Sequence, residues 1–332
     1  MKILKGVPFY CYHLDYDNLS FIERLVIKPK YEQPGFNQRM FNEDFPRVFH
    51  SARRQVNNMF NIESNDEGLI QKLLGNVHTR NRQHSVDETI RELIEEIAQS
   101  LVWFGKTHYF VHNICEQDKV FIRSLNPNGL FRFFSTFFQF VPKRLTFDIN
   151  TDRESEMLPR ELRVLDKTKV MYFEMPRSLR IMLSKQNRTL AVIDKHQFDS
   201  TKFIVRATHE NPYPKYHFDF HIWENIQEQA LYRATRKTGW NPRNYNSNKL
   251  SDFFLCYQLI KFRRNQFVLR DYILLQLSKE LTKVGREQNL DFYITISPGS
   301  DLPQIHKLDE LESKLSREEI SFTEVLDYCH ER

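Results

Sequence analysis

The stretch YHFDFHIW, residues 216–223, holds three side chains of types that bind metals. His217, Asp219 and His221 alternate with Phe218, Phe220 and Ile222. On a β-strand the first three share one face and the apolar three share the other. Same-face neighbours lie about 6.5–7 Å apart, and imidazole with carboxylate suits zinc or manganese. A divalent metal held there would serve a metal-dependent nuclease or phosphoesterase. That chemistry needs a further ligand from another segment and an activated water. A strand with one wet face and one buried aromatic face shows the same alternation.

Cations form the second constellation. In KFRRNQFVLR, residues 261–270, Lys261 and Arg264 are three apart and Arg263 and Arg270 seven apart. On a helix each pair lies on roughly one face. A stripe of this kind faces phosphates, with each contact adding salt-sensitive affinity; otherwise it is a solvated face or pairs with Asp271 and Glu280. Arg233, Arg236 and Lys237 precede Trp240. Charge beside an indole suits nucleic acid through phosphate attraction and base stacking. A tryptophan packed under a loop explains the spacing equally. The basic loop HTRNRQH, residues 78–84, reads as a linker or a phosphate-binding loop.

Other chemistry finds less support. Asp148, Asp152, Glu154, Asp166 and Glu174, with Lys167 and Lys169, echo strand-borne nuclease sites, but no E-x-K falls cleanly on a strand. The chain has no GxSxG, HExxH, GxxxxGK[ST] or GxGxxG, which removes the common hydrolase, zincin and phosphate-loop signatures. The balance leans away from an enzyme. Four cysteines at 11, 115, 256 and 329 avoid CxxC spacing, so neither a disulfide framework nor a zinc ribbon is expected, and the reduced cytoplasm is the natural compartment. The N-terminus lacks the apolar core of a signal peptide, and no run approaches the length of a membrane span. A net charge of +5 with pI near 8.9 tilts partners toward polyanions.

The elements that must position these residues follow from periodicity. Phe45, Phe49, Ala52, Val56 and Phe60 repeat as one face of a helix over 45–60. NDEGLIQKLL predicts a short helix. Ser85 and Glu88 form a capping box ahead of Ile90, Leu93, Ile94, Ile97, Leu101 and Val102, and Gly105 ends that helix as a left-handed cap. THYFVHNI, VFIRSL and, after the NPNG turn, LFRFFSTFFQFV predict a β-meander. KVMYFEM is a strand, and Pro176 opens a helix to about 184. RTLAVI and KFIVRAT read as short strands, and 225–237 as a helix. Residues 250–284 contain no proline or glycine and predict one helix near 50 Å long. LDFYITI predicts a strand, LPQIHKLDELESKL a helix, and the SFTE capping box a final helix. The expected fold is α+β: helices, an antiparallel or mixed β-meander and one long helix near the C-terminus. Three regions are expected: 1–84 mostly helical, 85–225 a helix with a β-rich body, and 226–332 helical.

The segment DETIRELIEEIAQSLVWFGKTHYFVHNI resembles the central part of tailed-phage portal proteins, in which an apolar helix and a glycine precede aromatic strands and a turn. Here those parts are Ile90–Val102, Gly105, Tyr109–Val111 and NPNG. LPRELRVLDKTKVMYFEMPRSL looks like the portal stretch that follows, and helix 250–284 stands where portal stem helices cluster around a DNA channel. The resemblance spans about 85–185 plus the long helix, in a chain shorter than typical portals. It implies a non-enzymatic, self-associating homo-oligomer that contacts nucleic acid through Lys261, Arg263, Arg264 and Arg270, outside any membrane, in a host cytoplasm or a virion. The remaining readings are the metal-dependent nuclease and a protein-interaction module without nucleic acid.

Overall fold

A computed structural model describes residues 2–10, 19–26, 35–49, 59–75, 77, 85–114, 119–145, 157–196, 220–241, 251–300 and 302–330. The chain is an α+β protein. Its elements run β1 (Lys2–Gly6), α1 (Phe21–Val26), α2 (Phe36–Asp44), β2 (Phe60–Ser64), α3 (Glu67–Leu74), α4 (Val86–Phe104), β3 (Lys106–Ile114), β4 (Lys119–Leu125), β5 (Leu130–Phe133), β6 (Thr136–Val141), β7 (Arg144–Leu145), β8 (Met157–Leu158), β9 (Glu161–Leu165), β10 (Val170–Glu174), α5 (Arg177–His196), α6 (Phe220–Thr235), α7 (Asp252–Gly285), β11 (Ile294–Pro298), α8 (Ile305–Ser316) and α9 (Phe322–His330).

These elements form two compact units. One takes Met1–Glu32, Phe60–Glu174 and Ile273–Ser297; the other takes Gln33–Met59, Met175–Tyr272 and Pro298–Arg332. The three consecutive regions expected from sequence do not coincide with them, because each unit assembles stretches far apart in the chain.

In the first unit, α4 is built as its sequence predicts. The Ser85 hydroxyl accepts from the Glu88 amide, the Glu88 carboxylate accepts from the Ser85 amide, and Gly105 closes the helix at φ 76°. Ile90, Leu93, Ile94, Ile97 and Ala98 are fully buried, each large aliphatic contributing about 1.5–3 kcal/mol over its exposed state. Strands β3 and β4 pair antiparallel as expected. The meander then divides. β5 and β6 leave for a four-stranded sheet ordered β1-β9-β6-β5, while β10 joins β3 and β4. The β1–β9 pair is parallel and the other pairs in that sheet are antiparallel, so the fold is mixed. Phe110, Leu125, Leu130, Phe137, Leu165 and Val170 form the core shared by the two sheets.

Strand edges leave unpaired amides and carbonyls that need partners, and the second half of α7 supplies them. The Gln276 side-chain amide accepts from the Glu174 amide and donates to the Glu174 carbonyl, and Lys283 donates to the Val170 carbonyl at 2.6 Å. Ser278 and Thr282 accept from the Ile296 and Ile294 amides at 2.8 and 3.1 Å. Four helical residues advance about 6 Å and two strand residues about 6.6 Å, so hydroxyls at i and i+4 match alternate amides of β11.

His108 on β3 is 1% exposed between Phe137 and Tyr172. Burial, aided by the nearby Lys106 charge, holds its imidazole far below 6.5, at about 3. The unfolded chain takes up this proton first. Stability from the neutral ring is therefore complete above about pH 6.5 and lost as pH falls toward 3. His108→Phe is expected to flatten the stability–pH curve between pH 6 and 4 by about 1.4 kcal/mol per pH unit. Urea titrations at each pH measure this, and parallel curves for the two proteins would contradict it.

In the second unit, α2, α5, α6, α8 and α9 accompany the first half of α7. Cys256, Ile260 and Phe267 of α7 pack with Leu308, Leu311 and Leu315 of α8 and Val325 and Cys329 of α9. The α9 capping box forms as expected, Ser321 and Glu324 exchanging hydrogen bonds. Two expectations fail here. The helix predicted over 45–60 does not extend over 45–49, because α2 ends at Asp44 and Pro46 has no amide to continue it; Phe45 and Val48 stay buried as coil. Residues 50–58 lie outside the described set. RTLAVI is not a strand but the latter half of α5, which runs unbroken from 177 to 196. KFIVRAT lies outside the described residues.

Candidate functional site

The cations singled out by sequence divide in two. Of those on α7, Arg263 and Arg270 face inward, while Lys261 and Arg264 stay partly exposed. Arg263 is 3% exposed and donates to the Gln266 side chain at 2.9 Å. Gln266, fully buried, donates to the carbonyls of Asp44, Phe45 and Arg47 at 3.0–3.1 Å, satisfying acceptors left by the end of α2. Arg270 is 1% exposed, bonds Asp271 at 2.8 Å and stacks 4.6 Å from the Phe267 ring centre. Arg264 is held by Asp309 at 2.6 Å and by Glu312. Burial pulls its guanidinium down, but the Glu312 and Asp309 contacts keep it above its ordinary range. Arg263 and Arg270 therefore offer no cation to a phosphate: seven-residue spacing put them on one face, and that face points into the core.

Trp240 is also turned inward. It is 3% exposed, its Nε1 donates to Asp44 at 3.2 Å, and Phe41 packs against it at 5.3 Å and 74°. The packed-under-a-loop reading holds for this residue, and it offers no face to a base.

What remains outward is the end of α6 with Lys261. α6 stops at Thr235, and the turn through Gly239 lies against α7. Gly239 has φ 76°, and a Cβ there would sit 2.3 Å from the Gln258 carbonyl and 2.7 Å from the Phe262 amide. Thr238 bonds the Thr235 carbonyl at 3.0 Å and the Gln186 side chain, while Asn265 donates to the Thr238 carbonyl at 3.2 Å. This fixed turn presents Arg233, Arg236 and Lys237 to solvent. Among the described residues none of the three makes an ion pair. Lys261, half-buried over the Tyr257 ring, has its ammonium shifted below the ordinary lysine value by burial and by the nearby Arg236, Arg264 and Lys237, against the pull of Glu312. Burial is the larger cause of that shift, and the exposed Arg233, Arg236 and Lys237 beside it form a cationic surface that attracts anions.

The metal constellation is not assembled in the described residues. His217 and Asp219 lie outside them. His221 stands in the first turn of α6. No group of three metal-binding side chains occurs among the described residues. Of the other acidic candidates, Asp166 accepts from Thr168 in a turn and Glu174 pairs with Tyr172, both local structural roles. No described helix is long and apolar enough to cross a membrane.

No protein-family model matches the chain, and no curated protein does. Among solved structures, the chain is similar to a chain in the neck of an empty gene transfer agent particle computed with C6 symmetry. Identity is 8% over 83% of this chain and 89% of that one, with a TM-score of 0.38. It is also similar to a chain in the virion of a native gene transfer agent particle, at 9% identity over 85% of this chain and 83% of that one, with a TM-score of 0.34.

Proposed function

We propose that this chain is a portal-like structural subunit of a phage-type particle, a non-enzymatic protein that self-associates and contacts nucleic acid. The observation that carries the reading is the succession of elements. A capped apolar helix ends on a left-handed glycine, aromatic strands follow, and a proline-led helix precedes a helix of 34 residues. This is the order that the sequence resemblance to portal proteins implies. Nucleic acid is assigned to Arg233, Arg236, Lys237 and Lys261, the cations of the original set that α7 and Trp240 packing leave available.

Light scattering over a concentration series tests the assembly. The expected mass is several times the 40.1 kDa of one chain; a 40.1 kDa species at every concentration would remove the reading. For the interface, the pair Arg236→Gln and Lys237→Gln is expected to lower the slope of log affinity against log salt for duplex DNA by about 2. An unchanged slope would take these two residues out of the interface.

A further inference from the structure

Helix α5 carries charge that no described residue pairs with. Over Arg177–His196 it holds five cations, Arg177, Arg180, Lys185, Arg188 and Lys195, against one carboxylate, Asp194. Its excess is thus four of the chain's formal +5. The one carboxylate is already engaged: Asp194 accepts from the Asn37 and Gln38 amides at 3.0 Å each and from the Asn37 side chain at 2.8 Å, capping α2 in place of Gly35, which has no side chain to do so. All five cations are exposed, and none forms an ion pair among the described residues. Leu179, Leu183, Gln186, Leu190 and Ile193 face inward, so the outer face is separate from the packing.

The geometry is a row. Residues 177, 184, 188 and 195 are spaced by close to whole helical turns, and they are Arg, Ser, Arg and Lys, with Arg180 and Lys185 flanking. The row extends about 27 Å along the axis. Like charges at i and i+3, Arg177 with Arg180 and Lys185 with Arg188, oppose helix formation; the face is tolerated, not stabilising. A straight array of arginine and lysine with a hydroxyl at Ser184 is the donor set that phosphate backbones accept from. An acidic protein surface would also satisfy charge, but a duplex presents phosphate charge at regular short intervals along its axis, which suits a row of cations spread over the length of α5 with no exposed carboxylate on that helix.

We infer that the outer face of α5, through Arg177, Arg180, Lys185, Arg188 and Lys195, binds the phosphate backbone of duplex nucleic acid. It extends the nucleic-acid part of the proposed function to a second surface and does not depend on self-association. The test is fluorescence anisotropy of the full chain with a 30-base-pair DNA duplex at several salt concentrations. The comparison is a variant carrying R177Q, R180Q, K185Q, R188Q and K195Q. Glutamine keeps helix propensity at exposed positions, and circular dichroism with a thermal melt checks that the variant is folded. The expected result is a roughly hundredfold loss of affinity at low salt and a fall of about 4 in the salt slope. Unchanged affinity and slope would overturn the inference, as would equal binding of polyglutamate of matched charge or full displacement by millimolar inorganic phosphate. Loss in this variant from a monomeric protein would uphold α5 while removing the assembly. Loss only in the Arg236/Lys237 variant would do the reverse for the surface.

Discussion

Glu23→Gln is expected to lower stability by about 3 kcal/mol at pH 7. Glu23 is 3% exposed in α1, and its carboxylate accepts from Arg160 at 2.7 Å, from the Ser20 amide and hydroxyl at 2.8 and 2.7 Å, and from the Lys143 amide at 3.2 Å. Burial alone would raise its pKa. The Arg160, Ser20 and Lys143 hydrogen bonds outweigh burial and lower it from 4.5 to about 2. A folded value below the unfolded one means that the stabilisation is complete above about pH 4.5. It is lost as pH falls through 2. The gap between wild type and the glutamine variant should therefore be widest near neutrality and close toward pH 2. Chemical denaturation at pH 7, 4 and 2 reads this directly. A variant within about 0.5 kcal/mol of wild type at pH 7 would mean that the pair with Arg160 adds nothing.

Gly239→Ala should be as costly, and it bears on the candidate interface. Two effects add. At φ 76° a Cβ costs roughly 1–2 kcal/mol, and here it would also meet the α7 backbone at 2.3 Å. Backbone cannot swing aside as a side chain can, so α6 and α7 must separate, for a total of about 3 kcal/mol or more. Gly105 supplies the control. It has the same φ of 76° with no atom within 4 Å of the position a Cβ would take. Gly105→Ala should show the conformational cost alone. Equal melting temperatures for the two variants would mean that the α6–α7 seam is looser than described.

Local signals were the legible part of the fold. The Ser85–Glu88 box, Gly105, the Ser321–Glu324 box and the proline-free run of α7 each encode an element boundary in a few adjacent residues, and each element stands where its signal lies. Signals that need tertiary context misled. RTLAVI is rich in branched residues, yet Leu190 and Ile193 face inward while Val192 is exposed, the pattern of a helix face. Ending α5 near 184 hid its basic row, because Arg177, Arg188 and Lys195 align only along one unbroken helix. The reverse happened in α7. Spacing correctly placed Arg263 and Arg270 together, but no sequence period reveals whether a shared face meets water or the core. Their burial depends on Gln266, Asp271 and Phe267 accepting a guanidinium face that reads as solvated. The division of the meander between two sheets was likewise hidden, since β4 and β5 are joined by a short turn that fits a hairpin equally well.

If the chain self-associates as a portal-like subunit, as proposed, its copies are expected to contact one another head to tail and close into a ring. A heterologous contact that closes gives one rotational axis, whereas a self-complementary patch gives a two-fold dimer. Class averages of the purified protein by electron microscopy separate these outcomes. Rings with a single rotational axis and a central opening are the predicted result; only monomers or two-fold dimers at every concentration would contradict it.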